Sequence, residues 1–127
     1  MLETNTDFLP FVEKYYSLPE TEQIKIYEKS VHGKSVLNWS GVVVDIFGNQ
    51  IIIYAGDPVL YNNEDWGTIT LVRPELVPYS LVVSMQENEQ IAEVNPGDVV
   101  SITGQIAVQG SEQEQSVWVL EKGLIIQ

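Results

Sequence analysis

Oxygen-bearing side chains crowd one short stretch of the chain: Asp57, Asn62, Asn63, Glu64 and Asp65, followed by Gly67. Calcium takes roughly six to eight oxygens from carboxylates, amide side chains, backbone carbonyls and water. This stretch is therefore the first candidate for a cation site, with calcium as the candidate ion. The spacing is not that of an EF-hand loop, because Trp66 stands at a ligand position and no bidentate glutamate closes the loop. Two secondary clusters of the same kind pair Asp45 with Asn49 and Glu112 with Glu114. The ligand set expected from the sequence is thus Asp57, Asn62, Glu64, Asp65, Asp45, Glu112 and Glu114.

Catalytic chemistry finds little support. His32 is the single histidine and cysteine is absent, which excludes thiol nucleophiles, disulfides, thiolate metal sites and two-histidine metal motifs. His32 falls at a helix end, where interaction with the helix C-terminus is its expected role. No Gly-x-Ser-x-Gly elbow and no Ser-x-x-Lys pair occurs. Gly33-Lys34-Ser35 matches the end of a phosphate-binding loop, but the glycine that such a loop needs five residues earlier is Glu28. The expectation is a binding protein, not an enzyme.

Charge narrows the ligand. Eighteen Asp and Glu against six Lys and Arg give a net charge of −12. Residues 35–127 hold twelve of those acids and only Arg73 and Lys122 as bases. A groove that follows a phosphate backbone needs a positive footprint, so nucleic acid and anionic membrane are disfavoured, while cations and basic protein surfaces are attracted. Tyr54, Tyr61 and Trp66 are the best placed aromatic residues for a ligand surface, and Trp39, Trp118 and Tyr79 are expected in the core. Near those platforms only Arg73 is basic, and Asp57, Glu64, Asp65 and Glu75 surround it in sequence.

The elements that must position these residues begin with two helices. Phe8, Phe11, Val12 and Tyr15 recur at helical spacing over residues 6–16, with Pro10 in the first turn. Ser17 and Glu20 make a capping box, with Pro19 in the opening turn, for a second helix that carries Ile24, Tyr27 and Val31 and stops at Gly33. From Ser35 the texture changes to β-branched residues. A first strand over Ser35–Ile46 is expected to bend at Gly41 and serve two sheets. Phe47-Gly48-Asn49 turns into Ile51–Tyr54. An insert over residues 55–78 follows, with a possible short strand at Thr68–Val72. A third main strand covers Tyr79–Met85, and an acidic connection over Gln86–Asn95 has room for a helical turn before Pro96-Gly97-Asp98. Val100, Ile102, Ile106 and Val108 alternate with polar residues, so all four are expected to face one core. Gly110–Gln115 reads as a hairpin loop and Ser116–Ile126 as the fifth strand, with a bulge at Gly123.

The segment Gly33-Lys34-Ser35-Val36-Leu37-Asn38-Trp39-Ser40-Gly41-Val42-Val43, the helix before it, and the later Pro96-Gly97-Asp98-Val99-Val100-Ser101-Ile102-Thr103-Gly104-Gln105-Ile106 resemble small bacterial OB-fold domains of the anticodon-binding-like type. The resemblance spans roughly residues 18–127 and implies a barrel without specifying a ligand. Residues 55–78 depart from the pattern, as an insert that would flank the ligand-binding face. In size, acidity and lack of cysteine the chain also resembles the small acidic calcium-binding proteins of heterocyst-forming cyanobacteria, a likeness of composition that favours calcium but assigns no residues.

The chain is accordingly expected to be a single, mainly β domain: residues 1–34 as a helical segment packed on an OB-like barrel over residues 35–127. Reversible calcium binding through surface carboxylates is the leading function. The alternative is a module for a basic protein partner, such as a regulator or a mimic of nucleic-acid charge, and single-stranded nucleic acid ranks below both. Met1–Asn5 shows neither a basic n-region nor an apolar h-region, and no run approaches a membrane span, so the cytoplasm is the expected location.

Overall fold

The computed structural model describes residues 7–126. Helix α1, Phe8–Tyr16, is capped by Asp7, whose Oδ1 accepts the Phe8 N–H at 2.8 Å. Thr6, where the sequence reading starts this helix, lies outside the described residues. The expected stripe is real: Phe8, Phe11, Val12 and Tyr15 are all buried. Helix α2, Glu20–Ile26, passes into a π-helical turn, Tyr27–Val31, and Gly33 then turns the chain at φ +78°. The capping box does not form. Ser17 is the C-cap of α1 and its hydroxyl donates to the Lys14 carbonyl at 2.6 Å, so the first helix uses the side chain that the second was expected to use.

Five strands close a barrel in the order β1-β2-β3-β5-β4, where β1 is Ser35–Phe47, β2 Gln50–Tyr54, β3 Ser80–Met85, β4 Val99–Val108 and β5 Trp118–Ile126. Every pairing is antiparallel except β3 with β5, which is parallel. This is the expected OB-like barrel. The long β1 serves two neighbours, pairing with β4 over Ser35–Val42 and with β2 over Val42–Phe47. Gly41 makes that possible, because a Cβ there would sit 2.4 Å from the Tyr54 carbonyl oxygen. The β5 bulge also appears: Thr103 faces Leu124 while Gln105 faces Glu121, and Lys122 lies in between at φ +56°.

The interior is built from the barrel and α1 together. Phe8 meets Trp39 edge-on with ring centroids 4.9 Å apart, and Phe11 and Tyr15 meet Trp118 at 5.6 and 5.2 Å. The Trp118 indole N–H donates to the Tyr16 hydroxyl at 2.9 Å, which donates in turn to the Pro78 carbonyl at 2.6 Å. Val100, Ile102 and Ile106 face this core as expected. Val108 does not. It is 51 % exposed, because the β4–β5 register shifts between Ile106 and Val108 and breaks the alternation at the strand end.

The insert forms a second core. Its elements are the 3₁₀ turn Pro58–Leu60, helix α3 over Trp66–Val72 and the 3₁₀ segment Pro74–Tyr79. The strand expected at Thr68–Val72 is therefore a helix. The Asp65 carboxylate caps it by accepting the Thr68 N–H at 2.8 Å, and burial of Ile69 overrides the β-branched composition. Ile69, Leu76 and Val77 pack on Val44, Ile52 and Tyr54. Both faces of β2 are covered in consequence, and Ile51, Ile52, Ile53 and Tyr54 are all buried. A last short helix, α4 (Asn88–Ile91), fills the expected helical turn between β3 and β4.

Candidate functional site

The outer face of strands 2 and 3, with its bordering loops, is where OB barrels ordinarily bind oligonucleotides and oligosaccharides. Here that face is occupied by the chain itself. Ile52 and Tyr54 of β2 are 3 % and 2 % exposed beneath the insert, and Val82 of β3 packs against the same cluster. Full burial of side chains such as Ile69, Leu76 and Val77 is worth about 1.5–3 kcal/mol apiece, so the cover is a fixed part of the fold.

The aromatic platforms are used internally. Tyr54 is buried and stacks on Tyr61 at 5.9 Å between ring centroids, and Trp66 packs partly buried on the same core. Burial pushes the Tyr54 hydroxyl up to about 12, with the neighbouring Asp57 charge acting in the same direction. Arg73, the one base of the insert, is held by Glu64 at 2.9 Å and stands 4.0 Å from Glu75. It is thus already neutralised where a phosphate would need it.

The carboxylates weighed as calcium ligands divide into several places. Asp45, Glu64 and Asp65, with Asn63, line one hollow of about 350 Å³ together with Val44, Tyr61, Pro96 and Gly97. Asp45, expected to group with Asn49, lines this hollow without it, and its oxygens accept the Ile46 N–H at 3.1 Å and the Trp66 N–H at 3.3 Å. Glu64 accepts the Asn62 N–H at 3.1 Å besides holding Arg73. Asp65 is engaged at the α3 cap, and its hydrogen bonds to Thr68 hold its carboxyl below the usual range. Asp57 lies outside this hollow and caps the 3₁₀ turn by accepting the Val59 N–H at 3.0 Å. Asn62 is exposed beside the hollow. Glu112 and Glu114 sit apart on the β4–β5 loop, where Glu112 accepts the Tyr79 hydroxyl at 2.6 Å. Among the described residues no three His, Asp or Glu side chains are grouped so as to hold a metal ion. His32 ends the π-helical turn with its backbone N–H on the Tyr27 carbonyl at 2.7 Å and its ring edge-on to Tyr27.

One concavity was missed by the sequence reading. A groove of about 420 Å³ runs between the start of α1, the bend of β1 and the first residues of the insert. Its lining is chiefly Leu9, Val42, Tyr54, Ala55, Pro58 and Val99, with Asp7, Ser40 and Tyr61 at its sides. No local signal in the sequence could have found it, because its lining comes from four separate stretches of the chain.

Among the described residues no helix is long and apolar enough to cross a membrane. No family model matches the chain, and no curated protein matches it. Among solved structures it is similar to the crystal structure of a "putative nucleic acid-binding lipoprotein" from Klebsiella pneumoniae subsp. pneumoniae MGH 78578, with a TM-score of 0.54 and 17 % identity over 97 % of this chain and 92 % of that one. At that identity the likeness shows a shared barrel architecture and nothing of the ligand.

Proposed function

We propose that this chain is a non-catalytic OB-type docking module for a basic protein surface. The observation that carries the reading is the insert seated on the strand 2–3 face, in a barrel region with twelve acids against Arg73 and Lys122. The nucleic-acid name of the structural neighbour belongs to that protein. Here the strand 2–3 face is covered, Arg73 is paired, and the remaining field repels phosphate. A field of this sign speeds encounter with positively charged partners and penalises anionic ones.

Affinity capture at physiological salt tests the reading, with a polyglutamate resin of equal charge as control. A basic protein retained by the folded chain and not by polyglutamate is the expected result. Capture of the same proteins by both reduces the reading to charge alone. Binding of an unselected single-stranded oligonucleotide tighter than about 100 μM at that salt overturns it.

Calcium binding is a second reading, supported only by Asp45, Glu64 and Asp65 lining one hollow, since among the described residues no three carboxylates are grouped to hold an ion. Its ligands would have to leave the N–H groups and the arginine that they now hold. Calorimetric titration with calcium and magnesium at constant ionic strength decides it. A calcium-specific heat that disappears in Asp45→Asn/Glu64→Gln/Asp65→Asn supports the site, and equal effects of both ions and of sodium chloride mean screening.

A further inference from the structure

The groove between α1, β1 and the insert is lined by side chains whose polar atoms are already partnered. The Asp7 carboxylate accepts the Phe8 and Ser40 N–H groups at 2.8 and 3.0 Å and the Ser40 hydroxyl at 3.0 Å. The Tyr54 and Tyr61 hydroxyls donate to the carbonyls of Asp57 and Glu64 at 2.9 and 3.3 Å. What the groove offers a ligand is therefore apolar surface. Val99 in its wall is 79 % exposed, and Val59, the neighbour of the lining Pro58, is 83 % exposed. Apolar surface gathered in a concavity, unlike scattered exposed side chains, is a mark of interaction surfaces.

Charge selects the occupant. Asp7 lies in the wall, the exposed Asp57 and Asp98 are the chain neighbours of the lining residues Pro58 and Val99, and among the described residues no basic one lines the groove. The walls are also fixed in shape. A Cβ on Gly41 would meet the Tyr54 carbonyl oxygen at 2.4 Å, and one on Gly56 would meet the Tyr54 hydroxyl at 2.6 Å, so backbone and ring are in direct contact beneath the surface. A preformed apolar slot within a negative field fits an aliphatic anchor flanked by cations.

We propose that this groove receives an aliphatic side chain from a lysine- or arginine-rich protein segment, whose charges meet the field of Asp7, Asp57 and Asp98. This rests on the reading of the chain as a docking module for basic protein, and it assigns the place and the anchor. The segment would dock across the start of β4 at Val99 and the 3₁₀ turn of the insert, beside the hollow that holds Asp45 and Glu64, from which Tyr61 divides it.

The test titrates the folded chain with two short peptides at physiological salt, one alternating lysine and leucine, the other with each leucine replaced by serine. The leucine peptide should bind about tenfold more tightly, the effect of seating one aliphatic side chain. Val99→Ser should erase most of that preference, while Leu71→Ser, at an exposed position on α3 outside the groove, should leave it intact. Amide shift mapping on the unaltered chain should place the leucine peptide at Leu9, Val42 and Val99, which frees the result from any effect of substitution on folding. Equal binding of both peptides with no shifts there would overturn the groove and leave the basic-partner reading standing. Failure of both peptides to bind would remove both. Displacement of the peptide by a single-stranded oligonucleotide, or self-association that protects the same amides, would assign the groove to another occupant and overturn the proposal.

Discussion

Aspartate residues do two kinds of work on the same atoms, and this chain shows why their types alone did not separate them. Asp57 and Asp65 carry the oxygens that a calcium ion would use, yet both act as N-caps that receive backbone N–H groups. The oxygen density of the insert was legible, and so was its acidity. The direction of each carboxylate was not, because it depends on where the 3₁₀ turn and α3 begin. Cap and ligand roles respond differently to substitution. Asparagine caps about as well as aspartate, whereas alanine cannot accept the N–H. Asp65→Ala should therefore lower the melting temperature, and Asp65→Asn should leave it nearly unchanged. The lowered carboxyl of Asp65 also fixes the sign of the pH effect: its contribution is present above the ordinary carboxylate range and is lost as the pH falls through its own lower value. Melting curves of the three chains between neutral and acid pH check both statements.

At the scale of elements, the insert decides what the barrel can do. Its docking was partly visible in the chain, since Ile51-Ile52-Ile53-Tyr54 is an unbroken apolar run and such a strand must be covered on both sides. What covers it was hidden. Thr68–Val72 has the composition of a strand, and only the Asp65 cap together with the burial of Ile69 makes it helical. The capping box expected at Ser17 failed for a related reason, since one hydroxyl had two helix ends within reach. Ile69 is fully buried and joins α3 to β1 and β2, so Ile69→Ala should cost about 2–5 kcal/mol in urea unfolding. Hydrogen exchange should locate the loss first in residues 66–79. A variant that loses less than about 1 kcal/mol would mean that the insert is not held by this core.

The whole molecule is an acidic barrel with tyrosines in its joints. The bend of β1 and the β5 bulge could be read in advance, because alternation, glycine placement and turn residues agree with one another. The groove at Val99 could not, since it is assembled from α1, β1, β2, the insert and β4 and has no local signature. Burial raises the hydroxyl pKa of Tyr15, Tyr16, Tyr54 and Tyr79, that of Tyr54 to about 12. An unfolded tyrosine releases its proton near pH 10. Stability is therefore whole below about pH 10 and declines as the pH rises through the raised folded values, where the unfolded chain holds fewer protons. Urea midpoints at pH 8, 10 and 11 should fall in that order, with the tyrosinate absorbance of Tyr15, Tyr16, Tyr54 and Tyr79 appearing as the chain unfolds.

The three tryptophans are distributed between the two cores, Trp39 and Trp118 in the barrel and Trp66 against the insert. The protein thus carries its own optical labels, two sealed from water and one half open. Steady-state emission should be dominated by a blue component that resists acrylamide, with a redder, quenchable shoulder from Trp66. Lifting of the insert would change the shoulder alone, and loss of the barrel would shift the main band. A single cuvette can therefore tell displacement of the cover from collapse of the frame beneath it.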